Sequence, residues 1–223
     1  FEQDSDWGWV GSDYGGEGAI VEYIWGHNEY NSKSKAVYGN ATYSISDSLR
    51  VNAGLRSNED SKGRLGATNT WDDTLWKIAI ESDINEDMMI YATASTGFRA
   101  GGANNAGVVA LLAEEGIDAA LYDPEFVTAL EFGIKSVMQD GRLILNAAVF
   151  SNDYSDMHAQ SFIVVNNGAS EYTMNGGQVD ASGLEVEFQW APTDQWYISG
   201  NFAYLDAEFG TYDMAALQGL GSL

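Results

Sequence analysis

The chain contains no cysteine, two prolines and two histidines, and only ten basic residues against 33 acidic ones. Without cysteine there are no disulfides and no thiolate metal sites. Neither His27 nor His158 has a second His or Cys at ligand spacing, so neither reads as a metal or catalytic centre. A formal charge of −23 is the opposite of what a nucleic-acid surface requires. It also provides no attraction to anionic inner-leaflet lipid. No run approaches the ~18 apolar residues of a membrane helix. No signal peptide opens the chain, and Phe1 in place of Met reads as a processed or cut N-terminus.

What is present argues for strands. Hydrophobic residues make up 45% and aromatics 13%, which excludes a disordered chain. Seven Trp and 12 Tyr suit a setting where one end of a side chain is apolar and the other wet, as at a membrane interface. Period-two alternation runs through Leu49–Arg56, Leu184–Trp190 and Trp196–Tyr204, the pattern of a half-buried strand. The run from Leu143 to Phe150 alternates too but is apolar on both faces. In the run from Leu184, the residues Leu184, Val186, Phe188 and Trp190 are expected to face lipid, and Glu185, Glu187 and Gln189 a lumen.

The spacing of the connections is more specific. Ser46-Asp47-Ser48, Asn85-Glu86-Asp87, Gln139-Asp140-Gly141 and Pro192-Thr193-Asp194 read as tight hairpin turns. Between them lie long connections at about Ser57–Asp73, Gly97–Phe126 and Asp153–Asp180. Strict alternation of short and long connections is what an outer-membrane barrel needs, with short periplasmic turns and long extracellular loops. Asp47, Glu86, Asp140 and Thr193 are thus expected at the periplasmic end, and Ala110 and Ala169 outside. Roughly nine or ten strands fit, at ~9–11 residues per tilted membrane strand. Val108, Leu111, Leu112 and Ile117 recur at helical spacing, predicting a short helix within the loop from Asn104 to Tyr122. Long ordered loops often carry function, so removing Gly102–Leu121 is expected to weaken activity more than barrel assembly.

The stretch YATASTGFRAGGANN, Tyr91 to Asn105, reads as a strand that ends in a glycine-hinged loop. Asp123-Pro124-Glu125 and Ala129 to Ser136 (ALEFGIKS) form the returning strand. This block resembles the "Y…GFR.GG.N … PE … ELG.KS" signature of TonB-dependent outer-membrane receptors. Leu49 to Arg56 (LRVNAGLR), Arg142 to Tyr154 (RLILNAAVFSNDY) with Gln160, Ser182 to Glu187 (SGLEVE) and Asn201 to Phe209 (NFAYLDAEF) resemble further blocks of the family, in the same order. The resemblance covers about Lys35 to Tyr212.

It implies an all-β fold, an antiparallel transmembrane β-barrel segment belonging to a plugged barrel of about 22 strands. It implies a receptor in the outer membrane of a Gram-negative bacterium that imports a scarce ligand, most often a ferric siderophore, with energy from the TonB complex. Residues 1–223 are then expected to form a partial barrel domain, with the plug and its TonB contacts missing and GLGSL at the end instead of a terminal aromatic strand. Outer-membrane lipid, TonB and a ferric siderophore are the implied partners. No cofactor is implied.

Ligand contact or loop closure is expected where strands meet the large loops, at Phe98, Arg99, Asn104, Asn105, Tyr122 and Tyr154. Arg99 is expected to be a lumen or rim residue paired with a carboxylate. Haem receptors of the family carry an FRAP block, but Gly101 stands where its Pro would be. The acidic cluster Asp4, Asp6, Asp13 and Glu17, and the pair Glu59 and Asp60, have no EF-hand spacing and read as solvated charge. No catalytic triad, carboxylate pair or phosphate loop stands out, so no enzyme is expected. Two other readings remain open at this point: a passive porin-like or small structural barrel, and an acidic soluble β-domain that binds glycans through its aromatics.

Overall fold

A computed structural model describes residues 2–7, 10–15, 19–24, 28–64, 67–165 and 168–210, with side chains described from residue 31 onward except at 64, 165, 168 and 169. Nine strands form one antiparallel sheet: β1 (Glu2–Trp7), β4 (Asn28–Ser44), β5 (Leu49–Arg64), β6 (Ala67–Asn85), β7 (Met88–Arg99), β10 (Glu125–Met138), β11 (Leu143–Ser155), β14 (Val179–Thr193) and β15 (Trp196–Phe209). They follow one another in chain order, so every pairing is with the nearest sheet strand in sequence. Three small pairs stand apart. They are β2 (Val10–Gly15) with β3 (Ala19–Ile24), β8 (Gly102–Ala103) with β9 (Leu121–Tyr122), and β12 (His158–Val165) with β13 (Gly168–Asn175). The helix α1 (Ala106–Glu114) lies between β8 and β9. Among the described residues β1 and β15 each have one neighbour, so the sheet is open rather than closed into a barrel.

The four short turns fall at one end of the sheet and the excursions at the other, as the connection lengths predict. Local chemistry holds the turns. The Ser46 hydroxyl accepts from the Leu49 N–H (3.1 Å), and the Asn85 side-chain Oδ1 accepts from the Asp87 N–H (2.9 Å). Gln139 and Asp140 have φ near +55°, the backbone that a tight hairpin demands. The fourth turn lies slightly later than predicted, because β14 continues through Thr193.

Two predicted long loops are not loops. Ser57–Arg64 and Ala67–Asp73 are paired strand, with Ser57 opposite Thr74 and Arg64 opposite Ala67. The polar composition there belongs to paired strand extensions and not to a loop. The excursion between Asp153 and Asp180 is likewise mostly the β12–β13 hairpin.

Register separates the two faces of the sheet. One row of paired residues runs Ala92, Phe132, Val149, Leu184 and Tyr204 across five strands. The next position along pairs Thr93, Glu131, Phe150 and Gly183 on the other face. The first face also carries Val37, Leu55, Ile78, Leu130 and Phe202, all exposed. The second carries Arg50, Asn52, Lys77, Glu81, Lys135, Asn146, Glu185 and Glu187. An exposed apolar face of this extent on one side of a sheet, with charge on the other, is the layout of a barrel wall between lipid and lumen. On the apolar face the band stops at Val37, Leu55 and Trp76; Ser57 and Thr74 come next on β5 and β6, and then the paired row Lys35, Glu59 and Asp72.

Candidate functional site

The polar face is concave. A cavity of about 710 Å³ lies against it, lined among others by Asn52, Lys77, Glu81, Tyr91, Glu131 and Glu185. Near the turns, Arg50 donates to Glu81 (2.6 Å) and to both oxygens of Asp83 (2.6 and 3.2 Å), and its Nη2, one of the two nitrogens on Asp83, also reaches the Met89 sulfur. Asn52 extends the network to Glu81 (3.0 Å) and to Thr42. Higher up, the Tyr91 ring lies flat across Gly133, where a side chain would collide with it, and Lys135 sits 5.5 Å from its centroid. The arrangement is a wall of fixed, mixed charge.

At the rim the strands hand over to loops, and here the predicted residues separate by role. Phe98 belongs to the apolar face and packs 6.0 Å from Phe126, its neighbour on β10. Arg99 points to the polar side, 70% exposed, with Glu125 at 4.0 Å, as expected of a rim residue near a carboxylate. Tyr154 lies on the same side of β11, half-buried and opposite Val127 and Val179. Tyr122 covers Gly102 with its ring and meets His158 edge-on at 4.9 Å. Asn105 caps α1 by accepting from the Gly107 N–H (2.8 Å). Asn104 has its amide committed to backbone partners at Ala119 and Thr173. The structure thus brings Tyr122 into a network that sequence reasoning left unassembled, and it places Asn104 and Asn105 in loop architecture.

The predicted helix is present, and its end explains its length. Gly116 has φ +77°, the left-handed backbone that closes a helix without side-chain strain. The Ile117 N–H returns to the Leu112 carbonyl (2.9 Å) and the Gly116 N–H to Ala113 (3.1 Å), while Ile117 joins the apolar cluster of Leu112.

Several residues that shape the rim gave no sequence signal. Lys62 on β5 donates to the carbonyls of Ala100 (2.9 Å) and Gly101 (2.7 Å), with Trp71 beneath it at 6.0 Å. Asn175 donates to the carbonyls of Asp123 (2.9 Å) and Asp156 (2.8 Å). The His158 ring pairs with the Asp123 carbonyl at 2.8 Å, and the His158 backbone N–H donates to the Glu125 carboxylate (2.8 Å). These partners are 19 to 52 residues apart in sequence, so only the register of the sheet brings them together. His27 and Glu17 lie outside the described residues, as do the side chains of Asp4, Asp6 and Asp13. Among the described residues no group of His, Cys, Asp or Glu is placed to hold a metal.

Two amines beyond the apolar band titrate in opposite directions. Burial, and then the charge of Arg99, push Lys62 below the ordinary lysine range, with Asp60 partly offsetting them. A hydrogen bond and charge attraction from Glu59 (2.8 Å) hold Lys35 above that range, and Glu59 correspondingly lies below its own. Protonated Lys62 is disfavoured in the fold, so its contribution to stability rises with pH between its lowered value and the ordinary one. Lys35 contributes below the ordinary lysine value and loses that contribution as pH rises through its raised one. Amine acylation followed residue by residue by mass spectrometry is expected to show Lys62 gaining reactivity at a lower pH than Lys35. The reverse order contradicts the burial assigned to Lys62.

The family described as TonB dependent receptor-like, beta-barrel matches residues 1–220. The pesticin receptor of Yersinia pestis is 25% identical over 185 residues, covering 76% of this chain and 26% of that protein. The metal-pseudopaline receptor CntO of Pseudomonas aeruginosa is 25% identical over 133 residues, 59% of this chain and 16% of that protein. The chain therefore spans about a quarter or less of the curated relatives it matches. Among solved structures, the pyoverdine outer-membrane receptor FpvA of Pseudomonas aeruginosa PAO1 superposes with a TM-score of 0.68 at 15% identity, over 87% of this chain and 28% of that one. The ferric yersiniabactin uptake receptor FyuA of Yersinia pestis superposes with a TM-score of 0.63 at 21% identity, over 82% and 28%. These structural likenesses are likenesses of fold. Neither the family nor these relatives are enzymes.

Proposed function

The chain belongs to the TonB-dependent receptor-like β-barrel family of outer-membrane proteins, and on that premise we propose that the whole protein is an active-transport receptor for a ferric siderophore. Residues 1–223 supply part of its barrel wall, and strands and a plug from elsewhere in the protein complete it. The observation that carries this reading is the two-faced open sheet, apolar outside and charged inside, roofed at one end by packed loops. Similar proteins whose names speak of ferric yersiniabactin uptake and of a metal-pseudopaline receptor make a chelated metal the apt ligand class. The porin reading is set aside, because the match over residues 1–220 is to receptors. The glycan-binding soluble domain is set aside on the same ground. Arg99 and Tyr154 are the proposed ligand-facing side chains, since both point to the polar side at the rim.

The test is uptake of radiolabelled iron by cells carrying the full-length gene in a strain lacking its other siderophore receptors. Ferric siderophores are supplied one class at a time, with and without TonB. TonB-dependent uptake of at least one class is the expected result. Uptake that persists without TonB points to a passive pore and overturns the proposal.

A further inference from the structure

We infer that the two long rim excursions, residues 100–123 and the described residues 157–165 and 168–177, form one cooperative folding unit, with Asn104 as the positioning residue that joins them. The interior of that unit is made from both loops. Val108, Leu112 and Ala119 of the first pack with Ile163 and Tyr172 of the second, and Leu111, Ile117 and Met174 close the edges. Leu112 and Ile163 are the largest fully buried side chains among the described residues, so the best-packed point lies in the loops and not on the sheet.

Polar groups tie the same two segments together. The Asn104 amide donates to Ala119 (2.9 Å) in its own loop and to the Thr173 carbonyl (2.7 Å) in the other, and accepts from the Thr173 N–H (2.8 Å). It thereby pairs with both backbone groups of Thr173, as an added strand would. At the neck, Asn175 accepts from the Asp123 N–H (2.7 Å) and donates back to the Asp123 carbonyl. Neither loop has such support alone. The β8–β9 pair is two residues long on each side, and the face of β12–β13 that bears Ile163 is covered by α1. The conformational entropy of ordering each loop is offset by contacts that the other supplies, which is the condition for cooperative opening.

The inference rests on the proposed function only in placing this unit over a ligand entrance. Its test needs no ligand. Full-length protein in outer membranes is followed by hydrogen exchange with peptide resolution, as wild type and as Leu112→Ala, Ile163→Ala, the double variant and Asn104→Ala. Leu112→Ala is expected to speed exchange at least about thirtyfold in both 106–117 and 158–175, with 143–155 unchanged. Asn104→Ala is expected to do the same by about tenfold. The double variant is expected to fall short of the product of the singles. Effects confined to the substituted loop, or multiplicative in the double variant, overturn the inference. If Leu112→Ala fails to assemble, Asn104→Ala decides by the same readout. Deleting Gly102–Leu121 does not test this inference, because it removes Val108, Leu112 and Ala119 together and so uncovers Ile163 and Tyr172.

Discussion

Val149→Arg in the full-length protein is expected to block assembly into the outer membrane, while Ala148→Arg, one residue away, is expected to be tolerated. Val149 lies midway along the apolar row between Phe132 and Leu184 and is 49% exposed in the isolated wall. A guanidinium there faces the bilayer midplane, at a cost of about 2–4 kcal/mol. That is a large fraction of a typical domain's stability. Ala148 faces the other way, between Gly133 and Glu185 in register, beside the polar concavity. An arginine at that position finds water and a carboxylate. Heat-modifiable gel mobility of outer-membrane fractions gives the folded share of each variant. Equal folding of the two sinks the facing assignment, and with it the division of the sheet into lipid and lumen sides.

The second large effect is expected at Gly101. A Cβ built there meets the Tyr122 carbonyl oxygen and, at 2.9 Å, the Trp71 indole, while the Gly101 carbonyl itself is held by Lys62. Two of these neighbours are anchored, one by backbone and one by the extended β5–β6 hairpin, so little can yield. Gly101→Ala is expected to destabilise the rim by about 1–3 kcal/mol, the usual cost of overpacking, and to lower iron uptake at unchanged surface expression. Gly39→Ala is the control. Nothing lies within 4 Å of a Cβ at Gly39, so a change within about 0.5 kcal/mol is expected there. Urea titration with loop-resolved exchange separates the two. Wild-type rim stability in Gly101→Ala contradicts the close approach.

This glycine shows where sequence reasoning stops. The run Gly101-Gly102 reads as a hinge, a place chosen for backbone freedom. In the fold Gly101 needs no unusual φ. It is required because Tyr122, Trp71 and Lys62 converge on it from three different segments. The stretch from Ser57 to Asp73 fails for a related reason. Its charge and small residues look like loop composition, yet a strand outside the membrane needs no apolar face, and its neighbours keep it in register.

The amino-acid order by itself determined the alternating strand cores, the short turns between them and, from Leu184 to Trp190, the side of the sheet each residue faces. Alternation of polar and apolar residues, turn chemistry and helix spacing are local, and they act over fewer than ten residues. The helix from Ala106 to Glu114 is legible for the same reason, while its cap at Asn105 and its end at Gly116 emerged only in the structure. Only the tertiary structure decided which loops touch. Asn104 and Thr173 lie 69 residues apart, and Asp123 and Asn175 lie 52 apart. Nothing in either neighbourhood announces its partner. Those contacts follow from strand length, register and curvature summed across the sheet, which bring two loop ends to the same place on the rim.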